Sequence, residues 1–222
     1  MDLSPLWISI STSLISTFIT FIIGILAAYL VANYKGHFKG LIDGVLTLPL
    51  LLPPTVVGFI LLLIFGKNGF MGKLLAFFNT SIIFTWTATV IAATVVSFPM
   101  MYRATRSAFE QIDKNILSAA RTLGLSERKI FYKIAVPLAT PGIIGGIVLS
   151  FARAMGEFGA TLMLAGNIPG KTQTMPLAIF FAVEGNDMNK AILWVIIIIS
   201  ISFFMIIILN YWSENKLKEK RG

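Results

Sequence analysis

The sequence predicts an all-α protein that crosses a membrane about five times. Hydrophobic residues make up 56% of the 222 residues and charged residues only 13%, with a mean hydropathy of +0.84. Soluble domains carry about 25% charged residues. Several apolar runs also exceed the roughly 18 to 20 residues that a helix needs to cross the hydrocarbon core of a bilayer. A polytopic helical membrane protein fits both observations.

The first predicted span covers residues 6–32. No basic residue precedes this run, and it is longer than the apolar region of a secretory signal peptide. We therefore expect an uncleaved first helix. A short basic turn follows, with His37 as the only histidine of the chain. A lone histidine in a solvated loop lacks the partner ligands of a metal site, so we expect no metal here.

The second predicted span, residues 41–65, contains Pro49, Pro53 and Pro54. Each proline removes a backbone N–H donor, so this helix must be kinked or broken. Broken backbone is tolerated at membrane depth only where protein or a water-filled cavity surrounds it. The three prolines are therefore candidates for lining a translocation path. The alternative is a bend that serves packing alone.

Three further spans are predicted over residues 82–101, 138–165 and 191–211. The third kinks near Pro99, which is a further candidate for lining the path, and the fourth carries several glycines that allow close helix approach. An apolar piece over residues 176–183 is too short to span and is expected to lie along the outer surface. Since the chain has no internal repeat or linker, residues 1–222 are predicted to form a single domain.

The basic residues indicate the orientation in the membrane. Thirteen of the 18 lysines and arginines lie in the loops after the first and third spans and in the C-terminal tail. By the positive-inside rule these segments face the cytoplasm, which places the N-terminus outside and the C-terminus inside. This asymmetry accounts for the net charge of +8, so we expect contact with membrane lipids and no nucleic-acid partner.

A polar segment over residues 113–137 separates the third and fourth spans, and it predicts two short helices. Asp113 is the predicted N-cap of the first helix and Gly124 its left-handed terminator. Ser126 is the predicted N-cap of the second helix, and Pro137 marks the next apolar run. A hydrated helix pair between two spans is well placed to contact a soluble cytoplasmic partner.

The contact surface of this helix pair is predicted from its smooth and apolar residues. Ala119 and Ala120 provide a smooth face, while Leu117, Leu123 and Leu125 are the predicted apolar contact points. Cations surround them at Arg121, Arg128, Lys129 and Lys133.

The chain lacks the motifs of an ATPase or a hydrolase. The phosphate-binding loop requires G-x-x-x-x-G-K-[ST]. In the glycine-rich stretch over residues 66–73, Lys67 stands five residues before Gly72, and Leu74 follows Lys73. The match fails, and the sequence predicts neither a catalytic site nor a bound cofactor. The absence of cysteine excludes disulfides and thiolate metal sites.

Arg153 and Glu157 are ionisable residues within the fourth predicted span. Their spacing places them on one helix face, where they can form an ion pair. Charged residues at membrane depth are costly and by default suggest a pathway or a functional contact. We expect this pair to shape a gate for an anion. A purely structural ion pair is the alternative.

The polar segment resembles a known signature. In order, it contains Ser118-Ala119-Ala120, Gly124 after three residues, Ile134 after nine more, and Val136-Pro137. This resembles the EAA motif, E-A-A-x3-G-x9-I-x-L-P, of permease subunits of binding-protein-dependent ABC importers. Ser118 and Val136 stand where that motif has glutamate and leucine.

Other stretches resemble molybdate permeases of the same family. They are LPLLLPPTVVG (residues 48–58), SFP (97–99), AARTLG (119–124), FARAMGEFGAT (151–161) and GNIPGKTQT (166–174). Sulfate permeases share the Gly-Glu-Phe-Gly region, so that region alone indicates an oxyanion importer. The run from Asn167 to Thr174 and the compact length favour molybdate, with tungstate hard to separate from it.

The resemblance implies a prokaryotic cell-membrane permease that acts as a homodimer. It implies two cytoplasmic ABC ATPase subunits that bind Mg-ATP, and an external oxyanion-binding protein. The implied ATPase-coupling residues are Ser118, Ala119, Ala120, Arg121, Leu123, Gly124, Ile134 and Pro137. A sulfate-type permease is the alternative within the family. A self-contained ion-coupled transporter or a non-transporting scaffold are the alternatives outside it.

Overall fold

The computed structural model describes residues 2–219, apart from the side chains of residues 205, 206 and 208–219. In this part of the chain all regular structure is helical, which confirms the predicted all-α class. The helices are α1 (Ser4–Asn33), α2 (Lys39–Leu51), α3 (Pro54–Phe65), α4 (Phe70–Phe77), α5 (Trp86–Glu110), α6 (Lys114–Thr122), α7 (Glu127–Ile130), α8 (Val136–Met155), α9 (Gly159–Ala165), α10 (Met175–Glu184) and α11 (Met188–Glu219). A π-helical turn, Phe131–Ala135, joins α7 to α8.

Two continuous helices of the described residues are long and apolar enough to cross a membrane. They are α1 and the helix Glu127–Met155, which runs through α7, the π-helical turn and α8. The pair α2 and α3 adds a third if it counts as one bent span. Helices also occupy the third and fifth predicted spans, as α5 and α11. The count of five spans and their orientation therefore stay predictions.

The helices differ in extent from two of the predicted spans. The third predicted span ends at residue 101, whereas α5 continues through Pro99 to Glu110, because a helix can extend beyond its apolar run. In this polar end of α5, Arg106 pairs with Glu110 one turn later. The fourth predicted span, 138–165, is not one helix, because α8 ends at Met155 and α9 begins at Gly159.

The core of the bundle forms where α1 and α8 pack against α5. One core cluster joins Ile25 and Ala28 of α1, Met101 of α5 and Ile143 of α8. The first half of α1 buries a row of hydroxyl side chains: Ser9, Thr12, Ser13, Ser16, Thr17 and Thr20. Small side chains let helices approach closely, and hydroxyls can hydrogen-bond across the contact. The Oγ1 atoms of Thr12 and Thr89 lie 2.8 Å apart between α1 and α5.

The second predicted span is broken, as its prolines indicated. The helix axis bends by 111° between its two halves, α2 and α3. Leu52 adopts an extended backbone, and Pro53 and Pro54 start the next helix. Proline disfavours the helical conformation in the preceding residue and fits the first turn of a new helix. The two halves then pack separately, α2 on α5 and α3 on α9.

The short apolar piece predicted over residues 176–183 is helix α10. It packs against α11 and α1, and its buried residues are Met175, Leu177, Ala178 and Ala182.

Candidate functional site

The segment 113–137, called the coupling segment below, has the predicted local structure. The Asp113 carboxylate accepts a hydrogen bond from the Asn115 backbone N–H at 2.9 Å, which caps α6. Gly124 has a φ of +77°, the left-handed conformation that favours glycine. The Ser126 hydroxyl accepts from the Lys129 backbone N–H at 3.5 Å and caps α7. All three predictions about these residues are confirmed.

The coupling segment has a small core of its own. Leu117, Ala120 and Ile130 are buried together, with Leu125 and Ile134 partly buried against them. Leu117 is only 7% exposed, so its prediction as a contact point is wrong. The hydrophobic side of the short helix α6 faces α7, because two adjoining helices bury their apolar sides against each other.

The remaining motif residues form the surface of the coupling segment. Leu123 is 81% exposed at the turn between α6 and α7. The other exposed motif residues are Ser118, Ala119, Arg121, Gly124 and Pro137. An exposed leucine beside small residues and a turn provides an apolar contact point on an otherwise polar surface. The structure therefore leaves Leu123, Ser118 and Ala119 on the surface of the coupling segment and buries Ala120 in its core.

Arg121 is engaged within the coupling segment. Its Nε donates to Glu127 Oε1 at 2.6 Å, and its Nη2 donates to Oε2 at 3.3 Å. This two-pronged contact ties α6 to α7 across the Gly124 turn. The hydrogen bond from Arg121 lowers the pKa of the Glu127 carboxyl and raises the pKa of the guanidinium. The sequence analysis did not single out Glu127, although its place after a predicted N-cap was a local signal.

Arg153 and Glu157 form the predicted ion pair, with Arg153 Nη1 lying 2.8 Å from Glu157 Oε2. The Glu157 side chain is 2% exposed and that of Arg153 24% exposed. Oε2 receives no aligned hydrogen bond, so the contact with Arg153 is chiefly electrostatic. Glu157 Oε1 accepts from the Ala160 backbone N–H at 2.7 Å. Glu157 thus contacts both helices that flank the break, through Arg153 of α8 and Ala160 of α9.

The breaks of the second and fourth predicted spans lie against each other. A Cβ atom on Gly159 would lie 3.1 Å from Pro54 Cβ and 3.2 Å from the Thr55 backbone nitrogen. The structure therefore brings Pro54 next to Gly159, two residues after Glu157. Pro49 lies elsewhere, beside a cavity of about 230 Å³ between α1, α2 and α5. Pro99 is buried within α5.

A network of charged side chains, which the sequence analysis missed, attaches α2 to α5. Arg106 donates to Asp43 and also to Glu110, the latter at 3.0 Å, while Lys39 donates to Glu110 at 3.1 Å. The Tyr102 hydroxyl donates to Asp43 at 2.9 Å. Only Thr47 is buried on α2, so this network supplies much of the contact between α2 and the bundle. No sequence signal pairs Asp43 with a residue 63 positions away.

An open cavity of about 570 Å³ lies where α5, the coupling segment and α8 meet. Its walls include Ser107 of α5, Gln111 just after α5, Asp113 and Ile116 of the coupling segment, and Pro141 of α8. The cavity lies directly beside the coupling segment, so a displacement of that segment changes its shape.

Comparison with known proteins identifies a family. Residues 20–218 match the family described as binding-protein-dependent transport system inner membrane component. The chain is 45% identical over 204 residues to a putative molybdenum transport system permease protein, YvgM, of Bacillus subtilis, covering 91% of this chain and 90% of that protein. It is 38% identical to the molybdenum transport system permease protein ModB of Haemophilus influenzae, covering 100% and 97%.

More distant relatives and solved structures share the architecture. The chain is 34% identical to the sulfate transport system permease protein CysT of Salmonella typhimurium, covering 73% of this chain and 59% of that protein. The MetNI methionine ABC transporter, solved in inward-facing conformations, has a chain that matches with a TM-score of 0.74 at 14% identity, covering 97% and 95%. A bacterial ABC transporter involved in alginate import gives a TM-score of 0.77 at 14% identity, covering 96% and 79%. At such low identity these structures support the fold alone.

Proposed function

Because the chain belongs to the family of binding-protein-dependent transport system inner membrane components, we propose that it is the permease subunit of an ABC importer for molybdate. The high identity to molybdenum permeases over nearly the whole chain is the observation that carries this proposal. Identity to the sulfate permease is lower and covers less of both chains. Tungstate has the same shape and charge as molybdate and is a second substrate of the proposed importer.

The energy for transport comes from ATP-hydrolysing partner subunits. The exposed surface around Leu123, with Ser118 and Ala119 beside it, docks on a cytoplasmic ATPase subunit. Mg-ATP binds to two such subunits, which move the coupling segments of two permease copies. An external binding protein delivers the anion. A solved alginate ABC transporter in complex with a periplasmic protein provides a precedent for such an assembly in the same fold.

The gate lies where the two broken spans meet. Irregular backbone at membrane depth is tolerated where it lines a cavity or is enclosed by protein. Pro53 and Pro54 at one break and Glu157 at the other provide such backbone. The partly exposed guanidinium of Arg153 supplies a positive charge for an oxyanion. Glu157 is the ion-pair partner of that guanidinium.

The proposed topology has five spans with the N-terminus outside and the C-terminus in the cytoplasm. The chain contains no cysteine, so a single introduced cysteine reports on its own position. A membrane-impermeant thiol reagent applied to whole cells should label Lys171→Cys and should not label Ser118→Cys. Labelling of Ser118→Cys from outside would show that the orientation is opposite to the one proposed.

Reconstitution tests the function directly. The permease, the ATPase subunits and the binding protein are placed in liposomes, and uptake of labelled molybdate, tungstate and sulfate is compared. We expect uptake of molybdate that requires both ATP and the binding protein. Preferential uptake of sulfate would indicate the sulfate-type permease. Uptake by this chain alone without ATP would identify a self-contained transporter and contradict the proposal.

A further inference from the structure

Three aromatic rings connect the coupling segment to the helix bundle. The aromatic cluster consists of Tyr29 at the end of α1, Phe109 at the end of α5, and Phe131 in the π-helical turn. The ring centroid of Tyr29 lies 4.7 Å from that of Phe131 and 5.3 Å from that of Phe109, with both pairs edge to face. Phe109 and Phe131 lie 6.3 Å apart. Edge-to-face rings at these separations attract each other in a defined geometry.

Two adjacent residues, Ile130 and Phe131, are buried in different hydrophobic cores. Ile130 is fully buried in the core of the coupling segment, with Leu117 and Ala120. Phe131 is buried in the bundle core, beside residues of α1, α5 and α8. Consecutive residues of a helix point about 100° apart, so one turn of chain reaches into both cores. The coupling segment and the bundle are thus two packed bodies that meet at Phe131 and at Ile112, which packs against both cores.

A π-helical turn starts at the same residue. Such turns insert one extra residue into a helix and are frequent at functional sites. Here Phe131, the first residue of the turn, packs in the bundle core beside α1 and α5, while the chain continues directly into α8. The covalent route into α8 and the packed route into α1 therefore begin at one position.

The ring of Tyr29, rather than its hydroxyl, makes this contact. The hydroxyl is buried and has no hydrogen-bond partner among the described residues. Both neighbouring aromatic rings pack against the tyrosine ring. Loss of the hydroxyl therefore leaves the cluster intact, whereas loss of the ring removes two of its three contacts.

We propose that Tyr29, Phe109 and Phe131 are positioning residues that transmit the displacement of the coupling segment to α1. The inference rests on the proposed function, because the displacement comes from the ATPase subunits. The coupling segment is joined covalently to α5 and α8, but it reaches α1 through the packed rings. Close-packed interiors transmit displacements because they cannot deform continuously. Without the cluster, the coupling segment still docks and moves, but α1 no longer follows it.

The test compares Tyr29→Leu with the matched control Tyr29→Phe in the reconstituted complex. Both variants lie outside the coupling segment, so docking of the ATPase subunits is expected to be unchanged in a pull-down. We expect Tyr29→Leu to retain basal ATP hydrolysis and to lose about five- to tenfold in stimulation by the loaded binding protein and in uptake. Tyr29→Phe should match the unsubstituted protein. Equal uptake by Tyr29→Leu, or equal loss in Tyr29→Phe, would overturn the proposal.

A cross-link provides an independent readout. The double variant Tyr29→Cys with Phe131→Cys removes two rings and should transport poorly when its thiols are free. Joining the two thiols with a short, reducible reagent restores the connection, so uptake should recover and be lost again on reduction. If the link forms without recovery, the cluster does not transmit the movement. ATP-dependent uptake by the unsubstituted complex separately reports the proposed function.

Discussion

A Cβ atom placed on Gly58 would lie 2.7 Å from the Cα atom of Ala160, so α3 and α9 touch backbone to backbone. This contact joins the second half of one broken span to the second half of the other. It keeps the two breaks, one next to Pro54 and the other next to Glu157, beside each other. The rigidity of the proposed gate depends on a side chain being absent at Gly58.

Gly58→Ala should destabilise the protein. The added methyl group overlaps backbone atoms of α9, and such overpacking costs about 1–3 kcal/mol. Gly44→Ala is the matched control, because a Cβ atom there meets nothing within 4 Å. Thermal unfolding in detergent measures both variants, and the melting temperature should fall only for Gly58→Ala. A lower melting temperature for both variants would contradict this explanation.

Glu157→Ala should destabilise the break between α8 and α9 more than Glu157→Gln. Alanine removes the acceptor for the Ala160 N–H and leaves Arg153 unpaired, whereas glutamine keeps an acceptor oxygen. Losing a hydrogen bond to a charged group costs about 1.5–3 kcal/mol. The free energy of unfolding in detergent gives the order of the two variants. Equal losses in the two variants would contradict this prediction and show that the charge, which both variants remove, matters more than the cap.

Gly124→Val should uncouple ATP hydrolysis from uptake. A Cβ atom at Gly124 meets nothing within 4 Å, so the constraint is its φ of +77° and not space. The left-handed conformation costs a residue with a Cβ about 1–2 kcal/mol, and more for a β-branched one. Gly124→Asn is the control, because asparagine tolerates this conformation. Uptake and ATP hydrolysis are measured in the same liposomes, and normal uptake by assembled Gly124→Val would refute the prediction.

The pH dependence of the coupling segment should follow Glu127. Its pKa lies below the ordinary value of 4.5 because Arg121 donates to the carboxylate. A lowered pKa in the folded state means that the ion pair stabilises the segment above the unfolded pKa and is lost as pH falls through the lower folded pKa. Carboxyl NMR should show a Glu127 midpoint below 4.5 that returns towards 4.5 in Arg121→Gln. Identical midpoints in both proteins would exclude the pair.

Local signals predicted much of the coupling segment. Asp113, Gly124 and Ser126 act on backbone groups within three residues, so their roles are visible in the sequence. Leu117 lies within α6 and Leu123 directly follows it, and composition does not separate these two leucines. Packing of α6 against α7 buries Leu117 and exposes Leu123.

The helical class, the broken second span and the motif spacing follow from local sequence. Long apolar runs must satisfy their backbone hydrogen bonds internally, and prolines cannot donate. Long-range packing places the second break at Gly156 to Phe158, brings it against Pro54, and pairs Arg106 with Asp43. It also placed Tyr29, Phe109 and Phe131 together. These contacts join segments far apart in the chain, and hydrophobic periodicity reports which face of a helix is buried but not which helix covers it.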